Sequence, residues 1–470
     1  MEAEIESLLT LEDVLESTGG VHVLGSGDFH FSSVQTDSRQ IEKNSLFVPL
    51  IGENQDGHKY VPQAVEKGAS VVFVAMPVYE KNPDFFNKVS MENPSVFFIA
   101  VENTLHALQA AASRYVEKFP DLIRIGVTGS SGKTTTKEIL ASILQQKYKV
   151  ITNLGNLNSE TGLPLSVFNI RKEHQVGLFE MGMNRKDEMA EISAVLKPRF
   201  AVITNIGTAH IGNLGSRENI ASEKGRIFDH FHSFGTAVIP RDDDFADFLA
   251  SLVDGNIVFY GDGEDEGISF VADHGLDGTE FTVDGKKAVL PLPGKYNYKN
   301  ALGAIALSRV LGVSSEQIVE GISNLHPLFG RSQVIHGDYI IVQDCYNANP
   351  DSMEKAIEFV SSVSGKNKVF VLGDMLELGE ESKTAHQKIG LMAKDSGASL
   401  VVFAGDEMKE AYNAARDLCR CVYIEGHSEE SMKKISETVR SSCEKGSVVL
   451  IKGSRGMGLE RVTSLLGGNA

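Results

Sequence analysis

Apolar residues along this chain recur with two different periods. Short unbroken runs such as Ile123-Arg124-Ile125-Gly126-Val127-Thr128, Val176-Gly177-Leu178-Phe179-Glu180 and Leu400-Val401-Val402-Phe403-Ala404 read as buried strands. Between such runs the apolar positions return every three or four residues. Ile139, Leu140, Ile143 and Leu144, for example, mark one helical face. The same reading places strands over 45–50 and 70–74, an exposed turn over 52–58, and a helix over 105–119 that ends at Pro120-Asp121. Further strands are expected over 201–205, 237–239 and 257–260, then over 339–343, 369–372, 422–425 and 448–451. Strands alternating with amphipathic helices predict an α/β fold with largely parallel sheets covered by helices. The last third has the regular alternation of a doubly wound, Rossmann-like domain. Three domains are expected: 1–122, 123–330 and 331–470.

Composition narrows the partners. A net charge of -18 leaves no basic stripe for nucleic acid, although a local phosphate site is compatible with it. The acidic start Met1-Glu2-Ala3-Glu4-Ile5-Glu6 is not read as a signal peptide, and no apolar stretch is long enough to span a bilayer. A cytoplasmic protein without membrane insertion is expected, with a monomer as the default state. The scattered Cys345, Cys419, Cys421 and Cys443 form no metal-ligand pattern and suit a reduced compartment. Gly453-Ser454-Arg455-Gly456-Met457-Gly458 has the wrong glycine order for a dinucleotide loop and reads as a strand-to-helix turn.

The chemistry concentrates in the central region. Thr128-Gly129-Ser130-Ser131-Gly132-Lys133-Thr134-Thr135 lies between an apolar strand and an amphipathic helix. A glycine-rich turn there aims backbone N–H groups at one point, at the positive end of a helix, and so cradles phosphate. Lys133 is placed to reach the terminal phosphates of a nucleotide and the Thr134 hydroxyl to ligate Mg²⁺. Position 127 is valine, so the match is to the short form GxxGKT. Glu180 ends a strand and offers hard oxygen at the edge where parallel sheets bind ligands. His210, after the run 200–205, brings an imidazole to the same edge, where its neutral nitrogen is a candidate ligand for a second metal. Lys224, in an expected helix over 219–228, reads from spacing alone as a surface charge. These residues do not separate hydrolase, kinase, ligase or a switch-type ATPase.

Longer segments do. Asn156-Leu157-Asn158, Glu180-Met181-Gly182-Met183-Asn184, Thr204-Asn205-Ile206-Gly207-Thr208-Ala209-His210, Asp344-Cys345-Tyr346-Asn347-Ala348-Asn349-Pro350-Asp351-Ser352-Met353 and Leu372-Gly373-Asp374-Met375-Leu376-Glu377-Leu378-Gly379 resemble the Mur ligase family. That family comprises the ATP-dependent enzymes that build the peptide of peptidoglycan, for cell wall biogenesis, cell shape and division. The resemblance implies a central ATPase between a UDP-sugar-binding domain and a C-terminal ligase domain. It implies that ATP phosphorylates the terminal carboxylate of UDP-N-acetylmuramoyl-tripeptide, and that the amine of D-alanyl-D-alanine then displaces phosphate. The Asp344–Met353 segment argues against relatives that add a single amino acid. By resemblance, Ser38, Arg39, Asp56, Gly57 and His58, with Asn156 and Asn158, fall at the UDP-substrate. Gly129 to Thr135, Asn300, Arg331, Asp344 and Asn347 fall at ATP. Thr134, Glu180, His210 and a carbamylated Lys224 become magnesium ligands, and Lys133, His210 and Lys224 the catalytic set. Three positions depart from the family pattern: Ser159 replaces asparagine, Arg226 an acid and Tyr296 a histidine.

Overall fold

The computed structural model describes residues 6–52, 55–261, 263, 266–326 and 328–468. Residues 53 and 54 of the expected turn, and the first five residues, lie outside the described residues. The chain builds three helix-covered sheets and one small antiparallel sheet. The first sheet has the order Val21–Leu24, Phe97–Val101, Ala69–Ala75, Ser45–Phe47, Ser33–Gln35, parallel except at its first strand. The second is parallel throughout, in the order Gly255–Tyr260, Gly235–Pro240, Phe200–Ile203, Ile123–Thr128, Val176–Glu180, Val150–Thr152. The third runs Gln333–His336, Ile340–Asp344, Val448–Lys452, Lys368–Gly373, Leu400–Ala404, Cys421–Ile424, with only its first strand antiparallel.

Strands buried on both faces need apolar residues at every position, which is why they read as unbroken runs. In the third sheet Phe370 and Leu372 face one core, with Ile357 and Ile389 from helices on that side. Val369 and Val371 face another, with Ile435 and Val462. The same division places Ile139, Leu140, Ile143 and Leu144 of the helix Lys133–Leu144 on one side of the central sheet. On its other side a single core runs from Phe73 and Ile99 of the first sheet to Phe179 and Ile203 of the second. The helix Thr104–Glu117 is the link, burying Leu108, Ala111, Ala112 and Tyr115.

Four differences from the sequence reading have physical causes. The antiparallel sheet Ile268–Asp273, Thr279–Val283, Lys286–Leu290 is absent from the expectation, because only one of its faces is covered and its exposed positions mix polar residues with Phe270 and Val271, which breaks the apolar run. The run 45–50 is strand only over Ser45–Phe47. Within the expected exposed turn the chain forms a helical turn, Gly57–Tyr60, and His58 is buried. Its Nδ1–H donates to Asp56 Oδ1 (2.6 Å), and its Nε2 accepts the Ala75 N–H (2.9 Å), so the buried ring is fully satisfied. Finally, Lys224 is not a surface charge. The helix Arg217–Gly225 turns it inward and leaves it 1% exposed, whereas Arg226 beyond the helix end pairs with Asp187 and Asp229 at the surface.

Candidate active site

The carboxyl edge of the central sheet faces the C-terminal region across a cleft of about 990 Å³. The phosphate loop forms its floor. Gly129 has φ +150°, and any side chain there would overlap the Thr204 hydroxyl. Gly132, at φ +80°, is the N-cap of Lys133–Leu144, so this helix starts without a side-chain cap at the cleft. An uncapped helix N-terminus has N–H groups and positive potential to offer an anion. Asn205 braces the loop from the neighbouring strand end. Its Oδ1 accepts the N–H groups of Ser130 (3.1 Å) and Ser131 (3.0 Å), and its Nδ2 donates to Ser131 Oγ (2.7 Å). Thr204 Oγ1 donates to the Ser131 carbonyl at 2.5 Å. Lys133 Nζ donates to the Gly129 carbonyl (2.8 Å), and burial pushes its pKa down, opposed in part by Glu180.

Glu180 is 2% exposed and completely engaged. Thr134 Oγ1 donates to its Oε2 (2.5 Å) and Asn158 Nδ2 to its Oε1 (2.7 Å). Asn153 clamps the backbone of the same residue, donating to its carbonyl and accepting its N–H, both at 3.0 Å. Asn153 escaped the sequence reading because a lone asparagine after a short strand has no distinguishing spacing. Among the described residues, no three His, Cys, Asp or Glu side chains gather closely enough to hold a metal alone. The oxygen donors of Thr134 and Glu180, beside a phosphate cradle, do fit Mg²⁺, which is commonly held by one or two protein oxygens plus phosphates and water.

Lys224 lies beneath the cleft and has no hydrogen-bond partner among the described residues. Burial pushes its pKa well below the usual value and Lys133 adds to this, against the pull of Glu223, Glu188 and Glu180. His210 adopts the left-handed conformation (φ 64°) that starts the short helix Ile211–Leu214. Its Nδ1–H donates to Glu377 Oε2 (2.9 Å) across the cleft. Two more contacts cross nearby: Asp351 Oδ2 accepts from Thr208 N–H (2.8 Å) and Oγ1 (3.1 Å), and Asn349 Nδ2 donates to the Ser130 carbonyl (3.4 Å). Gly207 permits the approach of Asp351, since a side chain there would overlap that carboxylate.

Asn300, Arg331, Asp344, Asn347, Asn156 and Asn158 all line the cleft. Asp344 is held by the Ser332 N–H (3.0 Å) and by Lys452 Nζ (2.6 Å), which also donates to the Asn347 carbonyl (3.3 Å). Lys452, 1% exposed at a strand end, was missed in sequence because its run reads simply as a strand followed by glycine. The Arg331 guanidinium lies 4.0 Å over the Tyr346 ring. Tyr296, whose hydroxyl hydrogen-bonds Ser332 (2.8 Å), completes this wall. Ser38, Arg39, Asp56, Gly57 and His58 are not brought to this cleft. They stay in the first region, where Ser38 Oγ donates to Gln63 (2.7 Å), and Arg39 is exposed and paired with Asp37.

Known proteins share this layout. Residues 30–116 match the Mur ligase family, catalytic domain; 127–308 match the Mur ligase middle domain; and 330–455 match the Mur ligase, glutamate ligase domain. The chain is 41% identical to the UDP-N-acetylmuramoyl-tripeptide–D-alanyl-D-alanine ligase of Treponema pallidum, over 98% of this chain and 99% of that one. It is 35% identical to the ligase of the same name from Bacillus subtilis, over 91% and 92%. Among solved structures it resembles MurF from Acinetobacter baumannii (TM-score 0.85, 29% identity, 97% and 98% covered). It also resembles MurF ligase from Thermotoga maritima in complex with ADP (TM-score 0.76, 27% identity, 92% and 96% covered).

Proposed function

The chain belongs to the Mur ligase family, and on that premise we propose that it joins D-alanyl-D-alanine to UDP-N-acetylmuramoyl-tripeptide at the expense of ATP, releasing ADP and phosphate. One observation carries this reading: the phosphate loop and the Asp344–Met353 segment, from two different sheets, line a single cleft. Domains 1–122, 123–330 and 331–470 supply the UDP-sugar site, the ATP site and the amine site. Among the described residues no helix is long and apolar enough to cross a membrane. By the family reading the protein is a cytoplasmic monomer of peptidoglycan precursor synthesis.

A carboxylate is a poor electrophile, so the reaction needs an activated acyl group. The tripeptide carboxylate attacks the γ-phosphorus of ATP, giving an acyl phosphate and ADP. The dipeptide amine then attacks the acyl carbon, one proton leaves the nitrogen, and phosphate departs as the amide forms. Phosphoryl transfer of this kind is accelerated mainly by positioning and charge stabilisation. The loop from Gly129 to Thr135 holds the phosphates, with Lys133 set against the transferring group. Asn300, Arg331, Asp344 and Asn347 hold the rest of the nucleotide from the opposite wall. Thr134 and Glu180, with His210 as a further candidate ligand, would hold Mg²⁺, which would supply charge neutralisation at the phosphates.

Lys224 is the candidate for carbamylation, in which its neutral amine adds to CO₂ and releases a proton. Support comes from its environment, because burial and the neighbouring Lys133 shift the amine toward its neutral, nucleophilic form. The acids around it would repel the new anion, so the carbamate requires a cation beside it. A ¹³CO₂-dependent carbamate resonance that is lost in Lys224→Arg would support this assignment, and its absence at saturating bicarbonate would remove it.

The test of the function is phosphate release with ATP, Mg²⁺ and UDP-N-acetylmuramoyl-tripeptide, with and without D-alanyl-D-alanine. The expected product is heavier than the tripeptide substrate by the dipeptide less water. Lys133→Ala should abolish release while leaving thermal unfolding unchanged. Release independent of both substrates would instead identify a switch-type ATPase, and release with a single amino acid a sister ligase.

A further inference from the structure

The cations lining the cleft have unequal amounts of charge to spare. Lys133 belongs to the phosphate loop, and Arg331 is close enough to Lys133 to lower its pKa. Lys452 is neutralised by Asp344, and Lys299 is paired with Asp242. Lys295 and Lys355 are flexible point charges without the planar fork that grips a carboxylate with two parallel hydrogen bonds. Arg455 has that fork. It follows the strand Val448–Lys452, at the carboxyl edge of the C-terminal sheet where open α/β sheets bind ligands. Its side chain is 55% exposed, and its one ion pair, to Glu460, is a loose 3.5 Å contact without a hydrogen bond.

Aromatic rings also flank Arg455. The guanidinium stands 5.5 Å from the centre of the Tyr346 ring and 6.0 Å from that of Phe329. Leu376 adjoins the next residue, Gly456, where an added Cβ would lie 3.0 Å from its Cδ1. Its N–H donates to Ser454 Oγ (2.9 Å), which fixes the two loops together. Phe329 and Leu376 are 41% and 45% exposed, so both offer apolar surface to a ligand at Arg455. Tyr346 carries Arg331 as well as Arg455 against its ring, so one aromatic separates Arg455 from the cation beside the phosphate loop. An extended dipeptide is roughly 7 Å long. That length matches a carboxylate at Arg455 with the amine directed across the Tyr346 ring toward the acyl carbon, on the side where Arg331 lies against the same ring.

We infer that Arg455 binds the C-terminal carboxylate of the incoming dipeptide, and that Phe329, Tyr346 and Leu376 take up its methyl side chains. The inference rests on the ligase reading above and assigns the amine substrate's specificity to these residues. It accounts for a dipeptide being preferred to a single amino acid, whose carboxylate would stop short of Arg455 when its amine is in place.

The test pairs a change in the enzyme with a change in the substrate. Wild type, Arg455→Gln and Arg455→Lys are assayed with D-alanyl-D-alanine and with D-alanyl-D-alaninamide, which lacks the carboxylate charge. Loss of a charge-assisted pair should lower wild-type kcat/KM for the amide roughly ten- to hundredfold. Arg455→Gln should lose a similar factor with the acid but gain no further loss with the amide. Its KM for ATP should be unchanged, and Arg455→Lys, with charge but no fork, should fall between. An Arg455→Gln enzyme that still prefers acid over amide as strongly as wild type would overturn the assignment. So would a loss confined to the KM for ATP. If wild type ligates neither dipeptide, the ligase reading itself fails, which is a different result from either.

Discussion

The first region meets the central one through apolar side chains, whereas the C-terminal region meets it mainly through hydrogen bonds and charge. At the first junction one buried cluster passes from sheet to sheet without interruption. Tyr115 is representative: its ring lies 5.3 Å from that of Phe168, and its hydroxyl donates to the Ile170 carbonyl (2.6 Å). At the second junction the crossing contacts include Asp351 to Thr208, Glu377 to His210, Asn349 to Ser130 and the Tyr296 hydroxyl to Ser332, while Leu276 and the Tyr296 ring add apolar packing. Opening an apolar junction exposes surface at about 25 cal/mol per Å², with nothing gained in return. Opening a polar one exchanges protein hydrogen bonds for hydrogen bonds to water at small net cost. The molecule thus has a fixed joint and a releasable one, and the cleft lies at the releasable joint. That arrangement suits a reaction in which three substrates enter and a reactive acyl phosphate must be kept from water.

The sharpest way to break this contrast is at the fixed joint. Tyr115→Ala removes a buried ring and one of the two donors to the Ile170 carbonyl, Arg171 remaining as the other, and should cost about 3–5 kcal/mol. In urea unfolding the first and central regions should lose stability together; a change confined to the first region would show that the joint is not one core. Next comes the releasable joint. Asp351→Ala removes a charged acceptor of two hydrogen bonds and should cost the closed arrangement about 1.5–3 kcal/mol. The expected signature is reduced ligation and a larger small-angle-scattering radius with nearly unchanged thermal unfolding. Equal activity and radius would remove Asp351 from the closure contact.

The smallest effect tests a polar contact at the fixed joint. Lys197 donates to Glu117 (2.7 Å) between the linking helix and the central region, and this bond holds the Glu117 carboxyl below its ordinary range. A depressed carboxylate pKa contributes stability above the ordinary glutamate value, and that stability is lost as pH falls through the lowered one. The pair is partly exposed, so Glu117→Gln should cost only about 0.2–1 kcal/mol at neutral pH. The difference from wild type should vanish in acid. A cost that persists there would assign the effect to packing and not to charge.

Legibility in the sequence followed burial on two faces. Strands such as Ile123–Thr128, Val176–Glu180 and Leu400–Ala404 could be read to the residue because sheets covered on both sides demand continuous apolar runs. The antiparallel sheet over 268–290 was illegible because one covered face leaves a mixed pattern. The strand, glycine turn and helix over 123–144 were legible because the pattern is local: glycines, lysine and threonine at fixed spacing between two apolar segments. Lys224 was not, since a lysine at a helix end carries no mark of the surface that will cover it. Asn153, Asn205 and Lys452 were silent for the same reason. Each is an ordinary residue until a distant strand end brings it to Glu180, to the phosphate loop or to Asp344.

The sequence by itself determined the alternation of strand and helix, the phosphate loop and the kinship carried by its longer motifs, because these depend on residues adjacent along the chain. Only the tertiary structure decided that Lys224 is buried with no hydrogen-bond partner among the described residues, that His58 is an internal brace, and that one joint is mainly apolar and the other mainly polar. Burial and pairing are properties of what the fold places opposite a side chain, and residues far apart in sequence supply that opposite surface.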